Sequence, residues 1–180
     1  MSSSNPLHER LGLATGAAFL VLAACASPAF AEGMAAFDVD YAAPMDSEGV
    51  SSGYGFGVRL GGQVHAPLIV LTPELGFAYH RFSGVAKQVT YGGIAGLRLG
   101  IGEVIRPGAF AHIGYGARKT ELPGRADDSG ALTYDVGAFL DFTLLPVLDL
   151  GVHGAYNNWT GSGQPSFPFV TVGAHVALIF

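Results

Sequence analysis

The side chains that could take part in acid–base or nucleophilic chemistry are few and scattered in this sequence. The candidates are His80, Asp135, Asp141, His153, Ser83 and Ser129. His80 and Ser83 are three residues apart, which places them on opposite faces of a strand. The histidines after residue 31, at positions 65, 80, 112, 153 and 175, lack the close spacing typical of zinc sites. The sequence therefore predicts no catalytic residue, no cofactor and no metal site.

Ten ionisable residues are expected to point into the interior of a barrel. This charge belt consists of Asp38, Asp40, Arg59, Glu74, Arg98, His112, Asp141, Asp149, His153 and His175. Pairing across the hairpins predicts which of these residues are neighbours. Arg59 is expected beside Glu74, Asp38 and Asp40. The other expected pairs are Glu74 with Arg98, Arg98 with His112, Asp141 with His153, and Asp149 with His175. Buried charges must be paired, so the belt predicts a lumen filled by side chains. A proton path, an ion path or a gated pore is the alternative interpretation.

The elements that position these residues are strands, because a period of two runs through the chain from residue 32 onward. Eight strands are predicted, near 33–42, 52–63, 68–82, 89–101, 108–118, 131–144, 148–157 and 168–180. Longer polar connections near 43–51, 83–88, 119–130 and 158–167 alternate with shorter ones near 64–67, 102–107 and 145–147. This alternation predicts an all-β fold, an eight-stranded antiparallel up-and-down transmembrane barrel.

The two faces of the strands indicate a membrane barrel. One face carries small residues with isolated charges, such as Gly57 and Arg59, and the other carries apolar residues such as Phe56 and Val58. A soluble barrel would present a face rich in Lys and Glu instead. All seven tyrosines and Trp159 are expected to form an interfacial girdle near the longer loops, with Trp159 exposed in one of them.

Residues 1–31 are predicted to be a signal peptide, and 32–180 the barrel domain. An apolar stretch too short to span a bilayer is followed by Ala29-Phe30-Ala31, an A-x-A cleavage site. A lipobox-like sequence ending at Cys25 offers an alternative, in which that cysteine is lipidated.

The chain has 180 residues, 49% of them hydrophobic and 13% charged, a formal net charge of −5 and one cysteine. These values exclude a disordered chain, a basic nucleic-acid binder and a disulfide scaffold.

The last strand carries a more specific pattern. Val172, Ala174, Val176 and Leu178 alternate back from the terminal Phe180. The pattern resembles the C-terminal strand of bacterial outer-membrane proteins, which the barrel-insertion machinery reads. The whole of 32–180 is similar to the small eight-stranded outer-membrane barrels typified by the OmpA membrane domain and OmpX. This resemblance implies a place in the outer membrane of a Gram-negative cell, in contact with its lipid and lipopolysaccharide.

The predicted function is non-enzymatic, with a structural or surface-interaction role. Surface ligands would contact the loops 119–130 and 158–167, since binding residues tend to lie on loops held by a rigid scaffold. A narrow channel for ions or small solutes is the first alternative. A lipid-modifying envelope enzyme is the second, because barrels of this architecture include such enzymes. No nucleic-acid partner is expected.

Overall fold

Eight antiparallel strands form one closed barrel in the computed structural model, which describes residues 31–45, 48–122, 125–161 and 165–180. The strands are β1 Ala31–Pro44, β2 Val50–Ala66, β3 Ile69–Gly84, β4 Lys87–Ile101, β5 Ile105–Leu122, β6 Arg125–Leu145, β7 Leu148–Gly161 and β8 Phe167–Ile179. Each strand pairs with its neighbours in sequence, and β1 pairs with β8 to close the barrel. The predicted eight-stranded up-and-down fold is confirmed.

The predicted signal peptide lies almost wholly outside the described residues. Positions 1–30, including Ala29 and the alternative lipidation residue Cys25, are not described, and β1 begins at Ala31. Glu32–Phe180 forms a single compact unit. Within the described part of the chain, no helix is long and apolar enough to cross a membrane.

Alternating residues produce two different barrel surfaces. On β2, Phe56, Val58 and Leu60 are exposed, whereas Gly57 and Arg59 between them are buried. Every strand presents large exposed apolar side chains in this way. A band of this kind around a whole barrel is suited to lipid. A closed barrel also leaves no backbone edge unpaired in the bilayer core.

Two predicted loops were wrong because strand pairing continues through polar sequence. Residues 119–122 and 125–130, predicted as part of a loop, extend β5 and β6, with Lys119 opposite Asp128 and Glu121 opposite Ala126. The predicted loop 158–167 is shorter as well, since β7 continues to Gly161 and β8 starts at Phe167. Backbone hydrogen bonds in an antiparallel ladder need no apolar side chain, so composition alone misplaced these boundaries.

We call the end of the barrel where β1 begins and β8 ends the terminal end, and the opposite end the far end. Buried apolar side chains occupy both ends of the lumen. Met34, Ala36, Ala177 and Ile179 cluster at the terminal end. A larger aromatic cluster lies at the far end, and the charged residues lie between the two.

Candidate functional site: the barrel lumen

The far end of the lumen is filled by an aromatic plug, which we define as Phe82, Trp159, Phe167 and Phe169. All four side chains are at most 2% exposed. The Phe82 ring lies 5.0 Å from the ring of Phe167 and 5.0 Å from that of Phe169. The prediction that Trp159 is an exposed loop residue was wrong. Because β7 extends to Gly161, Trp159 keeps the inward parity of Asn157 and packs inside the barrel.

The first part of the charge belt is centred on Arg59. Its Nε and one terminal nitrogen donate to Asp38 at 2.9 and 2.7 Å, and the other terminal nitrogen donates to Glu74 at 2.8 Å. Such a fork is the preferred geometry of guanidinium with carboxylate. All three residues are buried, so this contact across β1, β2 and β3 satisfies three charges at once.

Glu74 connects this group to His112. The two ring nitrogens of His112 lie 2.7 Å from Glu74 Oε1 and 2.6 Å from Asp135 Oδ1. Ionised carboxylates only accept hydrogen bonds, so both ring nitrogens must carry hydrogen and the ring is an imidazolium. His112 therefore acts as a cation of the belt.

The second group is centred on Asp141. Arg98 donates to Asp141 Oδ1 at 2.7 Å, and His175 Nε2 lies 2.8 Å from the same oxygen. Arg106 lies 3.5 Å from the other oxygen of Asp141 and pairs more closely with Asp149. Thr143 also donates to Asp149, at 2.7 Å. The guanidinium of Arg98 additionally lies over the ring of Phe139, 3.5 Å from its centroid.

A third group contains the remaining histidines. His153 Nε2 lies 2.7 Å from Asp40 Oδ1, and His153 Nδ1 lies 3.2 Å from Nδ1 of His175. His80 Nε2 is 3.6 Å from the other oxygen of Asp40, and neither ring nitrogen of His80 has a hydrogen-bond partner in the described structure. The ring of His80 packs against Phe169 at the base of the aromatic plug.

All ten residues of the predicted belt lie inside the barrel, but several predicted neighbours were wrong. Asp141 contacts Arg98 and His175 rather than His153, and Asp149 contacts Arg106 rather than His175. Asp40 contacts His153 rather than Arg59. Arg98 donates to Asp141 and does not contact Glu74 or His112, which were its predicted neighbours.

Two glycines explain why these contacts reach beyond the adjacent strand. Gly151 on β7 stands opposite both Asp141 on β6 and His175 on β8. Gly173 on β8 likewise stands opposite His153 on β7 and Asp40 on β1. With no side chain in between, each histidine reaches a carboxylate two strands away. Nearest-neighbour pairing omits such contacts.

Four charged or titratable lumenal residues were missing from the predicted belt. One of them, Arg118, is 7% exposed and lies over the ring of Phe167 in the aromatic plug, 5.0 Å from its centroid. Asp135 shares its face with Asp141 and His80 shares its face with Glu74, so their parity was a usable signal. Arg106 was assigned to a connection, but β5 begins at Ile105 and turns its side chain inward. The closeness of His153 and His175, 22 residues apart, has no spacing signal in the sequence.

Little free volume remains between these groups. A cavity of about 10 Å³ lies among Arg98, Arg106 and Asp141. A second cavity of about 60 Å³ lies between the belt and the aromatic plug, beside Asp38 and His153. A wider vestibule of about 290 Å³ lies at the terminal end, lined in part by Gln63 and His65. The lumen is thus interrupted by side chains at the belt and again at the plug.

The comparisons with known proteins establish the fold. No family model matches the chain. No curated protein matches it either. Among solved structures, it is similar to Neisserial surface protein A, with a TM-score of 0.62 and 16% identity over 82% of this chain and 97% of that one. The attachment invasion locus protein Ail of Yersinia pestis has a TM-score of 0.58 and 16% identity, over 84% of this chain and 99% of Ail.

A third similar structure is the N-terminal β-barrel domain of OprF from Pseudomonas aeruginosa. Its TM-score is 0.51 at 12% identity, over 83% of this chain and 99% of that domain. Together with the apolar band on every strand, these likenesses define the class: an eight-stranded membrane-spanning barrel with the fold of the small outer-membrane barrels.

Proposed function

We propose that this protein is a closed, non-enzymatic outer-membrane barrel that anchors an extended β5–β6 hairpin at the cell surface. The double closure of the lumen supports this proposal most strongly. The ion-paired belt and the aromatic plug each fill the cross-section, and the cavity between them holds about 60 Å³. An eight-stranded interior is just wide enough for side chains to fill.

The hairpin is the part of the chain best suited to meet a partner. β5 and β6 contain 18 and 21 residues, whereas a tilted spanning strand needs about 9–11. β5 stays paired with β4 as far as Glu121, whereas the pairing of β6 with β7 ends at Ala131, so residues 125–130 of β6 extend past that pairing. The hairpin carries both charge signs, with Lys119 and Asp128 3.4 Å apart and largely exposed. One structure of Ail is a complex with the heparin analogue sucrose octasulfate. The mixed charge of this hairpin favours a ligand other than a uniform polyanion.

Contacts with lipid, lipopolysaccharide and the insertion machinery belong to the same proposal. Val172, Ala174, Val176 and Leu178 all point outward on β8, and Phe180 is 77% exposed at its end. A largely exposed terminal aromatic is available to a receptor before the barrel closes. The expected result of Phe180→Ser is less folded protein in the outer membrane in cells, with unchanged folding of the purified chain in detergent.

The positions of the candidate catalytic residues support the proposal that the protein is not an enzyme. His80 is buried in the lumen, whereas Ser83 is exposed and its hydroxyl donates to the carbonyl oxygen of Ser52 at 2.8 Å. The two side chains therefore do not face one another. The remaining acid–base candidates, Asp135, Asp141 and His153, are engaged in the belt.

Efflux from loaded vesicles distinguishes the closed barrel from a narrow channel. The channel is the alternative function that the polar side chains of the belt favour. The protein is reconstituted into vesicles that contain radiolabelled lipid A and a trapped sugar, and its folding is checked by heat-modifiable gel mobility. The expected result is no sugar efflux and no change in the lipid. Efflux proportional to the amount of folded protein would establish a channel. Release or transfer of an acyl chain would establish an enzyme.

A further inference from the structure

We propose that His153, His175 and Asp38 form a site for one divalent transition-metal cation, with Zn²⁺ as the ion to test. The three residues offer ligand atoms that all lie within 4.8 Å of one another. Imidazole nitrogen and carboxylate oxygen are common zinc ligands. The site lies inside the lumen, and its three ligands come from β7, β8 and β1.

The hydrogen bonds of the two histidines fix where their protons are. His153 Nε2 faces Asp40 Oδ1 at 2.7 Å, and His175 Nε2 faces Asp141 Oδ1 at 2.8 Å. A carboxylate accepts and cannot donate, so both Nε2 atoms must carry the hydrogen. Arg98 lies 3.0 Å from Nε2 of His175, but both of these groups donate into the same oxygen of Asp141.

In neutral rings both Nδ1 atoms are then lone-pair acceptors, and they face each other at 3.2 Å. Two facing lone pairs repel unless a positive ion or a proton lies between them. Two Zn–N bonds of roughly 2.0–2.1 Å at a tetrahedral angle hold their nitrogens about 3.3 Å apart. The observed distance between the two Nδ1 atoms therefore matches that between two histidine nitrogens bound to one zinc ion.

The surroundings match those of bound metals in two further ways. A metal-binding histidine commonly donates its other ring nitrogen to a carboxylate, as both histidines do here. Gly151 and Gly173 leave the space for these two contacts. A Cβ at Gly151 would come within 2.5 Å of Asp141 Oδ1 and His175 Nε2, and one at Gly173 would overlap Asp40 Oδ1. The backbone therefore accommodates both histidine–carboxylate pairs.

Charge balance in the belt also calls for a cation. Among the described residues, the middle of the lumen contains six carboxylates, those of Asp38, Asp40, Glu74, Asp135, Asp141 and Asp149. It contains four cations, which are Arg59, Arg98, Arg106 and the imidazolium of His112. Counted with the other lumenal histidines uncharged, the excess is two buried negative charges, and buried charge must be compensated. One divalent ion at His153 and His175 removes this excess.

Asp38 supplies the third ligand. Each of its oxygens already accepts one bond from Arg59, and a carboxylate has about four acceptor positions. A movement on the order of 1 Å brings an oxygen into a zinc coordination sphere. The cavity of about 60 Å³ beside Asp38 and His153 has room for a water as fourth ligand. The ion would join β7, β8 and β1, and so hold the seam where the barrel closes.

Zinc titration of the folded protein tests the site. The protein in detergent is stripped with a chelator, its fold is checked by gel mobility, and Zn²⁺ binding is measured by calorimetry and elemental analysis. We expect one Zn²⁺ per chain, at least 100-fold weaker binding in His153→Ala and His175→Ala, and 10–100-fold weaker binding in Asp40→Ala. His65→Ala, at an exposed histidine outside the site, is the matched control and should bind like the wild type.

A measurement on the wild type keeps the test decisive if a variant does not fold. In protein labelled with ¹⁵N-histidine, one equivalent of Zn²⁺ should shift the ring-nitrogen signals of two histidines and raise the urea midpoint of unfolding. No binding to folded wild type would overturn the proposal and leave a shared proton between the Nδ1 atoms. Equal binding by folded His153→Ala would also overturn it. Neither outcome depends on whether the barrel conducts or binds a surface partner.

Discussion

Replacing Arg59 by alanine tests whether the charge belt holds the barrel together. The substitution removes every hydrogen bond that the structure gives to Asp38 and one of the two held by Glu74. Glu74 keeps His112, so Asp38 becomes the uncompensated buried charge. Breaking a buried ion pair in this way costs about 3–5 kcal/mol. That loss changes the unfolding equilibrium by roughly 10²–10³-fold or more.

Urea unfolding in lipid vesicles measures this loss, and the chain contains its own probe. Trp159 is the single tryptophan and is 2% exposed in the aromatic plug, so its fluorescence reports closure of the lumen. Arg81→Ala, at an exposed arginine of β3, is the matched control and should unfold like the wild type. Adding Asp38→Asn to Arg59→Ala should recover part of the stability, because it removes the stranded charge. An Arg59→Ala protein with the midpoint of Arg81→Ala would refute the belt as a stabilising network.

Three further predictions concern packing in the lumen. Phe82→Ala should destabilise the barrel by about 3–5 kcal/mol in the same urea assay, because Phe82 is 1% exposed and packs against two other rings. Gly173→Ala should lower the unfolding midpoint, whereas Gly93→Ala, where an added Cβ meets nothing nearer than 3.9 Å, should not; equal midpoints would exclude the close contact at Gly173. Acrylamide should quench Trp159 fluorescence only after unfolding, and strong quenching of the folded protein would place this side chain outside the plug.

The barrel itself was predictable because the period of two and the number of strands do not depend on where each strand is predicted to begin or end. The period of two on β6 placed Tyr134 and Val136 outside and Asp141 inside, and burial follows that assignment. Errors arose where composition was used to end a strand. Trp159 sits in polar sequence, yet pairing of β7 with β8 reaches this residue and carries it into the lumen.

The contacts within the lumen were less predictable for a geometric reason. Hairpin arithmetic gives only the nearest neighbours along the sheet, and it correctly placed Arg59 beside Glu74 and Asp38. Side chains inside a narrow barrel also meet across a glycine or across the lumen, as His153 does with Asp40. Such contacts depend on shear and on the size of the intervening residue, which a linear pattern does not contain.

Single-channel conductance of the folded protein in a planar bilayer tests the closed lumen most directly. Gel mobility first confirms that the inserted protein is folded. The ion pairs of the belt and the four rings of the plug predict silence at every applied voltage. Steady ion-selective steps in the wild type, altered in Arg59→Ala, would contradict the account and make the belt the selectivity filter of a channel.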